Sequence, residues 1–276
     1  RGTMETRDAN KGKKRKKTAL FSILPGMALF LFLVATKKLC INPLIAAAYP
    51  VQGVDVSHYQ GDIDWENLAG QDIDFAYIKA TEGSGHVDEK FQENWTAAGR
   101  TELWLGAYHF FSFDSDAESQ AALFMDTVGD LSGKLAPVVD VEYYGDKRTH
   151  PPDRGQVVGQ LREFLEILEG QYGVKPVIYT TRPVYGRYIK KEFDQYPLWI
   201  RNVYFPPGLE MGGRWEFWQY SDTAVMDGYS GDEKYIDRNV FFGGREKIED
   251  FLVPNIREIK AAADRKEERA EDGWKK

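Results

Sequence analysis

From Val51 onward, apolar and polar positions fall into short runs of strand character separated by segments of longer period. Seven stretches, 53–57, 74–80, 103–110, 136–142, 176–180, 198–202 and 216–220, are rich in β-branched and aromatic residues and bounded by turn residues, which predicts strands. An eighth strand is placed near 235–240. Between several of them the pattern becomes helical, most clearly in 154–172, where Val157, Val158, Leu161, Phe164, Leu165 and Leu168 recur on one face. Strands alternating with helices predict an α/β fold with a parallel sheet, and about eight strands predict that the sheet closes into a single TIM-like barrel. The later strands stand too close together for full helices, so an incomplete outer ring is expected.

The ends of the chain break this texture. Lys11, Lys13, Lys14, Arg15, Lys16 and Lys17 run into residues 18–35, which carry no charge. That pairing predicts a membrane-directed segment with its basic flank left in the cytoplasm and everything downstream exported. Ala46, Ala47 and Ala48 satisfy the small-residue rule for release of a signal peptide, whereas Lys37 and Lys38 interrupt the path to that site and favour a retained anchor; both outcomes stay open. After Gly243 and Gly244 the chain becomes dense in charge, with Ile248, Phe251, Leu252, Ile256 and Ile259 as its main apolar residues. A helix on the barrel's exterior up to about Ala263 is expected, followed by a solvated end.

Composition narrows the function. The net charge of -7 hides an excess of positive charge in residues 1–49 and a strongly acidic remainder, which argues against nucleic-acid binding by the folded part. A single cysteine, Cys40, excludes an internal disulfide framework and cysteine-based zinc sites, and His58, His86, His109 and His150 show no metal-ligand spacing.

Carboxylates at strand ends carry the candidate chemistry, because the C-terminal ends of barrel strands form the working face. Asp140 and Glu142 close one apolar run, and their i, i+2 spacing turns both toward the barrel mouth while Val139 and Val141 face away. Two neighbouring carboxyls in a partly desolvated site hold one proton between them, a pairing suited to glycosidic bond cleavage. Asp55 lies between Val54 and Val56 in a strand buried on both faces, where an acid needs a polar site to meet. Asp237 is placed at the end of the last strand, beside the first if the barrel closes. Aromatic residues at the same rim, including Tyr59, Tyr108, Tyr179, Trp199 and Trp218, suit stacking on sugar faces.

These residues stand within ordered motifs: Val54-Asp55-Val56-Ser57-His58-Tyr59-Gln60-Gly61, Phe75-Ala76-Tyr77-Ile78-Lys79-Ala80-Thr81-Glu82-Gly83, Gly106-Ala107-Tyr108-His109-Phe110, Pro137-Val138-Val139-Asp140-Val141-Glu142, Pro176-Val177-Ile178-Tyr179-Thr180, Leu198-Trp199-Ile200, Phe217-Trp218-Gln219-Tyr220-Ser221 and Ile236-Asp237-Arg238-Asn239-Val240-Phe241. Over residues 51–243 the set resembles the glycoside hydrolase family 25 lysozymes. The resemblance implies a (β/α)5(β)3 barrel that hydrolyses the β-1,4 bond between N-acetylmuramic acid and N-acetylglucosamine in peptidoglycan, with no metal or organic cofactor. It implies Glu142 as general acid/base, Asp140 as its partner assisting the 2-acetamido group or stabilising the charged intermediate, Asp55 and Asp237 as flanking acids, and Tyr59, Tyr108, Tyr179, Trp199, Trp218 and Gln219 as glycan contacts. Arg201-Asn202 departs from the small residues usual after the family's Leu-Trp-Ile. A chitinase-like glycosidase lacks support because Val138 and Leu135 stand where further acids are required, and a binding-only wall module would be expected to have lost an acid. The resulting organisation is a basic head (1–17), a signal or anchor segment (18–48), a catalytic barrel (50–244) and a charged tail (245–276). The expected state is a monomer at the cell surface or outside the cell, held to the membrane by 18–35 if that segment is not cleaved.

Overall fold

A computed structural model describes residues 32–33, 36, 40–208 and 215–255. The basic head, nearly all of the apolar run 18–35 and the tail beyond 255 lie outside the described residues; among those described, no helix is long and apolar enough to cross a membrane.

From Asn42 the elements run α1 (Asn42–Ala46), β1 (Val51–Val56), α2 (Trp65–Ala69), β2 (Phe75–Glu82), a short spur β3 (His86–Val87), α3 (Phe91–Ala98), β4 (Trp104–Phe110), α4 (Ala117–Val128), β5 (Val138–Val141), α5 (Arg154–Tyr172), β6 (Val177–Thr181), β7 (Leu198–Arg201), β8 (Phe217–Ala224) and β9 (Ile236–Phe241). Omitting the spur, eight strands hydrogen-bond in the order β1-β2-β4-β5-β6-β7-β8-β9, and β9 pairs back on β1 to close the barrel. After β6 only a short distorted helical stretch at 182–189 follows, and among the described residues no helix lies between β7 and β8 or between β8 and β9, which gives the incomplete ring.

The expectation of a parallel sheet needs one correction. Seven strands are parallel, but β9 runs antiparallel to both β8 and β1. Residues 225–235 contain no helix to carry the chain back across the barrel, so β9 returns beside β8 in the opposite direction.

Strand alternation divides the apolar residues into two cores. Val51, Phe75, Tyr77, Val138, Val177, Trp199, Phe217 and Phe241 fill the barrel, whereas Val54, Val56, Ile78, Val139, Val141, Ile200 and Trp218 pack outward against Leu161, Phe164, Leu165 and other helix residues. Helix α5 follows the predicted stripe, with Val157, Leu161, Phe164, Leu165 and Leu168 all buried; Asp153 caps its start and Gly173 ends it in the left-handed region.

Of the exterior helix expected after β9, residues 256–263 lie outside the described residues, and the described part, 245–255, is not one continuous helix. A four-residue helix, α6 (Arg245–Ile248), and one 3-10 turn lead to a bridge between Leu135 and Leu252, placing Phe251 5.4 Å from both Phe217 and Phe241. The amide of Ala136 donates to the carbonyl of Phe251 at 2.7 Å. This segment therefore plugs the end of the barrel remote from the strands' C-termini.

At the other end of the domain, α1 is built into the wall. Asn42 and Ala46 are each 1% exposed, and Asn42 Nδ2 donates to the carbonyls of Asn202 (2.9 Å) and Tyr220 (3.0 Å). Tyr49 packs edge-on against Trp215 and Trp218.

Candidate active site

The C-terminal ends of the parallel strands open into a cavity of about 890 Å³ whose lining includes Asp55, Asp140, Glu142 and Asp237. Asp55 is the penultimate residue of β1, and its register partner across the ladder is Asp237. The reversal of β9 is what permits this: Asp237 stands near the start of its strand, not at its end, and the start of an antiparallel strand lies level with the end of β1. Asp140 lies between Phe110 of β4 and Tyr179 of β6, and Glu142 is the first residue past the end of β5.

A hydrogen-bonded floor orients the donors that reach Asp55. Tyr179 Oη donates to Gln219 Oε1 at 3.0 Å, which turns the Gln219 amide nitrogen toward Asp55 Oδ1 at 3.0 Å. Trp199 Nε1 donates to Asn239 Oδ1 at 3.0 Å, which turns Asn239 Nδ2 toward the same oxygen at 2.7 Å. Each amide is thus locked with its nitrogen facing the carboxyl, an arrangement that favours the anion.

Burial raises all four carboxyl pKa values above the usual range. For Asp140 the next cause is the charge of Glu142, and for Asp237 it is the charge of Asp55. The direct interaction of these two side chains lowers Asp55 and raises Asp237, so Asp55 is the more readily ionised of the pair. Asp140 Oδ1 is buried and has no hydrogen-bond partner within the protein. Burial and the neighbouring acids push the hydroxyls of Tyr108 and Tyr179 well above their ordinary values, so both remain donors.

Among the expected glycan contacts, Tyr59, Tyr108, Tyr179 and Trp199 line the cavity, with Tyr59 61% exposed at its rim. Gln219 lies beneath, bonded to Asp55. Trp218 is not brought to the site: it is fully buried on the outer face of β8, its Nε1 donating to the carbonyl of Asn202 at 2.9 Å. The alternation that aims Gln219 inward must aim Trp218 outward. His109 also turns away, stacking on Phe164 at 4.9 Å, and burial pushes its pKa down to about 4.

Several lining residues went unread in the sequence. Lys79, 9% exposed at its side chain, bonds Glu82 at 2.7 Å, and Arg201 bonds Asp222 at 2.6 Å. The signal for Lys79 was the one used for Asp55, a charge inside an otherwise apolar strand. Tyr204, Phe205 and Tyr235 extend the aromatic rim; nothing in their local sequence marks them.

Comparison with known proteins agrees with this geometry. Residues 54–229 match the model of the glycosyl hydrolases family 25. The structure of a family 25 glycosyl hydrolase from Bacillus anthracis superposes with a TM-score of 0.71 at 47% identity, covering 74% of this chain and 94% of that one. The bacterial lysozyme from Streptomyces coelicolor gives 0.66 at 31% identity, covering 73% of this chain and 96% of that one. In sequence, Lysozyme M1 of Streptomyces globisporus is 33% identical over 215 residues, 72% of this chain and 70% of that protein.

Proposed function

The chain belongs to the glycosyl hydrolases family 25 and is a peptidoglycan hydrolase, and we propose that it cuts the bond between N-acetylmuramic acid and N-acetylglucosamine with Glu142 as proton donor and Asp140 as the group that orients the substrate's 2-acetamido arm. The observation that carries the division of labour is Asp140 Oδ1, a buried carboxylate oxygen in the cleft without a protein donor. An acetamido N–H supplies what it lacks, and orienting that amide aims its carbonyl oxygen at the anomeric carbon. Burial pushes both carboxyls up, Asp140 further still through the charge of Glu142, so the pair holds one proton between them, and Glu142, less enclosed and just past the end of its strand, is the one placed to pass it to the leaving oxygen. Breakage of the C–O bond passes that proton to the leaving sugar; the acetamido oxygen closes on the anomeric carbon; water then opens the ring with Glu142 as base, and the configuration is retained. Asp55, fixed by Gln219 and Asn239, supplies negative potential to the developing cation.

The bond assignment is tested by digesting purified walls, reducing the products with borohydride and identifying the new termini by mass spectrometry. N-acetylmuramitol is expected. N-acetylglucosaminitol would assign the cut to the other glycosidic bond.

The reading places the barrel outside the membrane, working on glycan strands as a monomer and joined to the bilayer through 18–35 when that segment is kept. Release after Ala48 would strip away α1, leaving the carbonyls of Asn202 and Tyr220 without Asn42. The mature protein is therefore expected to retain residues 42–49, whether anchored or shed by a cut before Asn42. Mass spectrometry of the exported protein checks this, and an active enzyme beginning at Tyr49 would refute it.

A further inference from the structure

Four cations, Lys79, Arg148, Arg182 and Arg201, line the cavity at the barrel mouth, and two of them, Lys79 and Arg201, act on the group of four acids, each tethered by an acid outside that group. Lys79 is tied to Glu82 and sits 5.2 Å from the centroid of Phe110. Arg201 is tied to Asp222, and the two side chains are only 33% and 16% exposed. Arg201 and Asp222 line the same cavity as Asp55, Asp140, Glu142 and Asp237. Alternation along β7 puts Arg201 there, two residues beyond the inward-facing Trp199 and between Thr181 of β6 and Gln219 of β8. Gln219 is the residue whose amide holds Asp55. A guanidinium clamped at 2.6 Å and largely removed from water exerts its field at a fixed place, unlike a solvated surface arginine.

We propose that Arg201, held in place by Asp222, is a positioning residue for the hydrolysis: its fixed charge sets the pH window in which Glu142 carries a proton while Asp140 is ionised. The proposal rests on the roles given to Glu142 and Asp140 above. The guanidinium is paired with Asp222 on β8, the charges of Tyr179 on β6, Glu142 beyond β5 and Asp237 on β9 act on it, and its own charge acts on Asp55 of β1 and Asp140 of β5. Lys79 of β2 also acts on Asp140 and Glu142, and Arg148 and Arg182 line the same cavity. Burial pushes the four carboxyls up, and Arg201 pulls every one of them back down. Asp222 acts on Asp237 in the opposite sense. Loss of the cation must therefore move the cluster's titration to higher pH, and loss of its tether's negative charge must move it to lower pH.

The test is the pH profile of kcat/KM on soluble, uncross-linked glycan strands for wild type, Arg201→Gln, Arg201→Lys and Asp222→Asn. Arg201→Gln is expected to displace both limbs of the bell to the alkaline side by roughly one unit. Asp222→Asn should displace them to the acid side, and Arg201→Lys should stay near wild type. Disturbed folding does not produce opposite displacements. Limbs that stay in place in both variants, or that move in the same direction, overturn the proposal. If Arg201→Gln does not fold, as judged by near-UV circular dichroism, the near-isosteric Asp222→Asn decides alone through the acid shift. An unmoved bell beside an inactive Glu142→Gln enzyme overturns this proposal only, whereas an active Glu142→Gln enzyme overturns the reading beneath it.

Discussion

Glu142→Gln is expected to reduce wall hydrolysis by about a thousandfold, equivalent to about 4 kcal/mol of barrier, while leaving the fold intact. Glutamine keeps the shape and cannot supply a proton to the glycosidic oxygen. Glu142 stands just past β5, outside the strand's ladder, so the amide disturbs no register. Removing a carboxyl that raises its neighbour Asp140 also relieves repulsion, and the melting temperature should hold or rise slightly. Turbidity loss of purified bacterial walls, with thermal melts of both proteins, checks the two halves together. A variant retaining more than about a tenth of the wild-type rate, a barrier change of only about 1.4 kcal/mol, would sink the assignment. A variant that melts early would show instead that Glu142 supports the fold.

Much of the barrel was legible because strand faces repeat every second residue. Val54 and Val56 facing out fixes Asp55 facing in, and the same logic places Asp140, Trp199 and Gln219. Direction is a different quantity from face, and alternation does not report it. For β9 the relevant signal was the helix-free stretch 225–235, which leaves no crossover for a parallel return. For Trp218 the same rule runs against the resemblance: a motif in which the adjacent Trp218 and Gln219 both touch glycan contradicts a strand of period two. Arg201 was seen as a departure in a motif, but its inward aim follows from Trp199 two positions earlier. The alanines at 46–48 suit a cleavage site and a tightly packed helix end equally well, since both need small side chains. Only the position of Asn42 against Asn202 and Tyr220 tells which use the fold makes of them. The plug after β9 was hidden because a charged sequence with sparse apolar residues does not reveal that Phe251 meets Phe217 and Phe241.

The second large effect concerns the layer beneath the acids. Gly106 of β4 pairs with Tyr77 of β2, and a Cβ added at Gly106 would lie 2.1 Å from the Tyr77 ring. That ring has nowhere to go. It is fully buried, with Trp199 at 5.0 Å and Phe217 at 5.9 Å, and its hydroxyl donates to the carbonyl of Ala136 at 3.2 Å. Gly106→Ala must therefore displace either the ring or β4, and overpacking of this kind costs about 3 kcal/mol. For a domain of this size that is a fall in melting temperature of roughly 6 to 12 °C. The strain also reaches the site, because Tyr108 is two residues further along β4 and Trp199, in contact with Tyr77, holds Asn239 against Asp55. Activity should fall by more than the melting temperature explains at the assay temperature. The double variant Gly106→Ala with Tyr77→Val removes the obstructing ring, so its destabilisation should be less than the sum of the two single changes. A Gly106→Ala protein melting within about 2 °C of wild type, or a double variant showing strict additivity, would mean that the two strands part at this level without cost and that the barrel's inner layer does not fix the geometry above it.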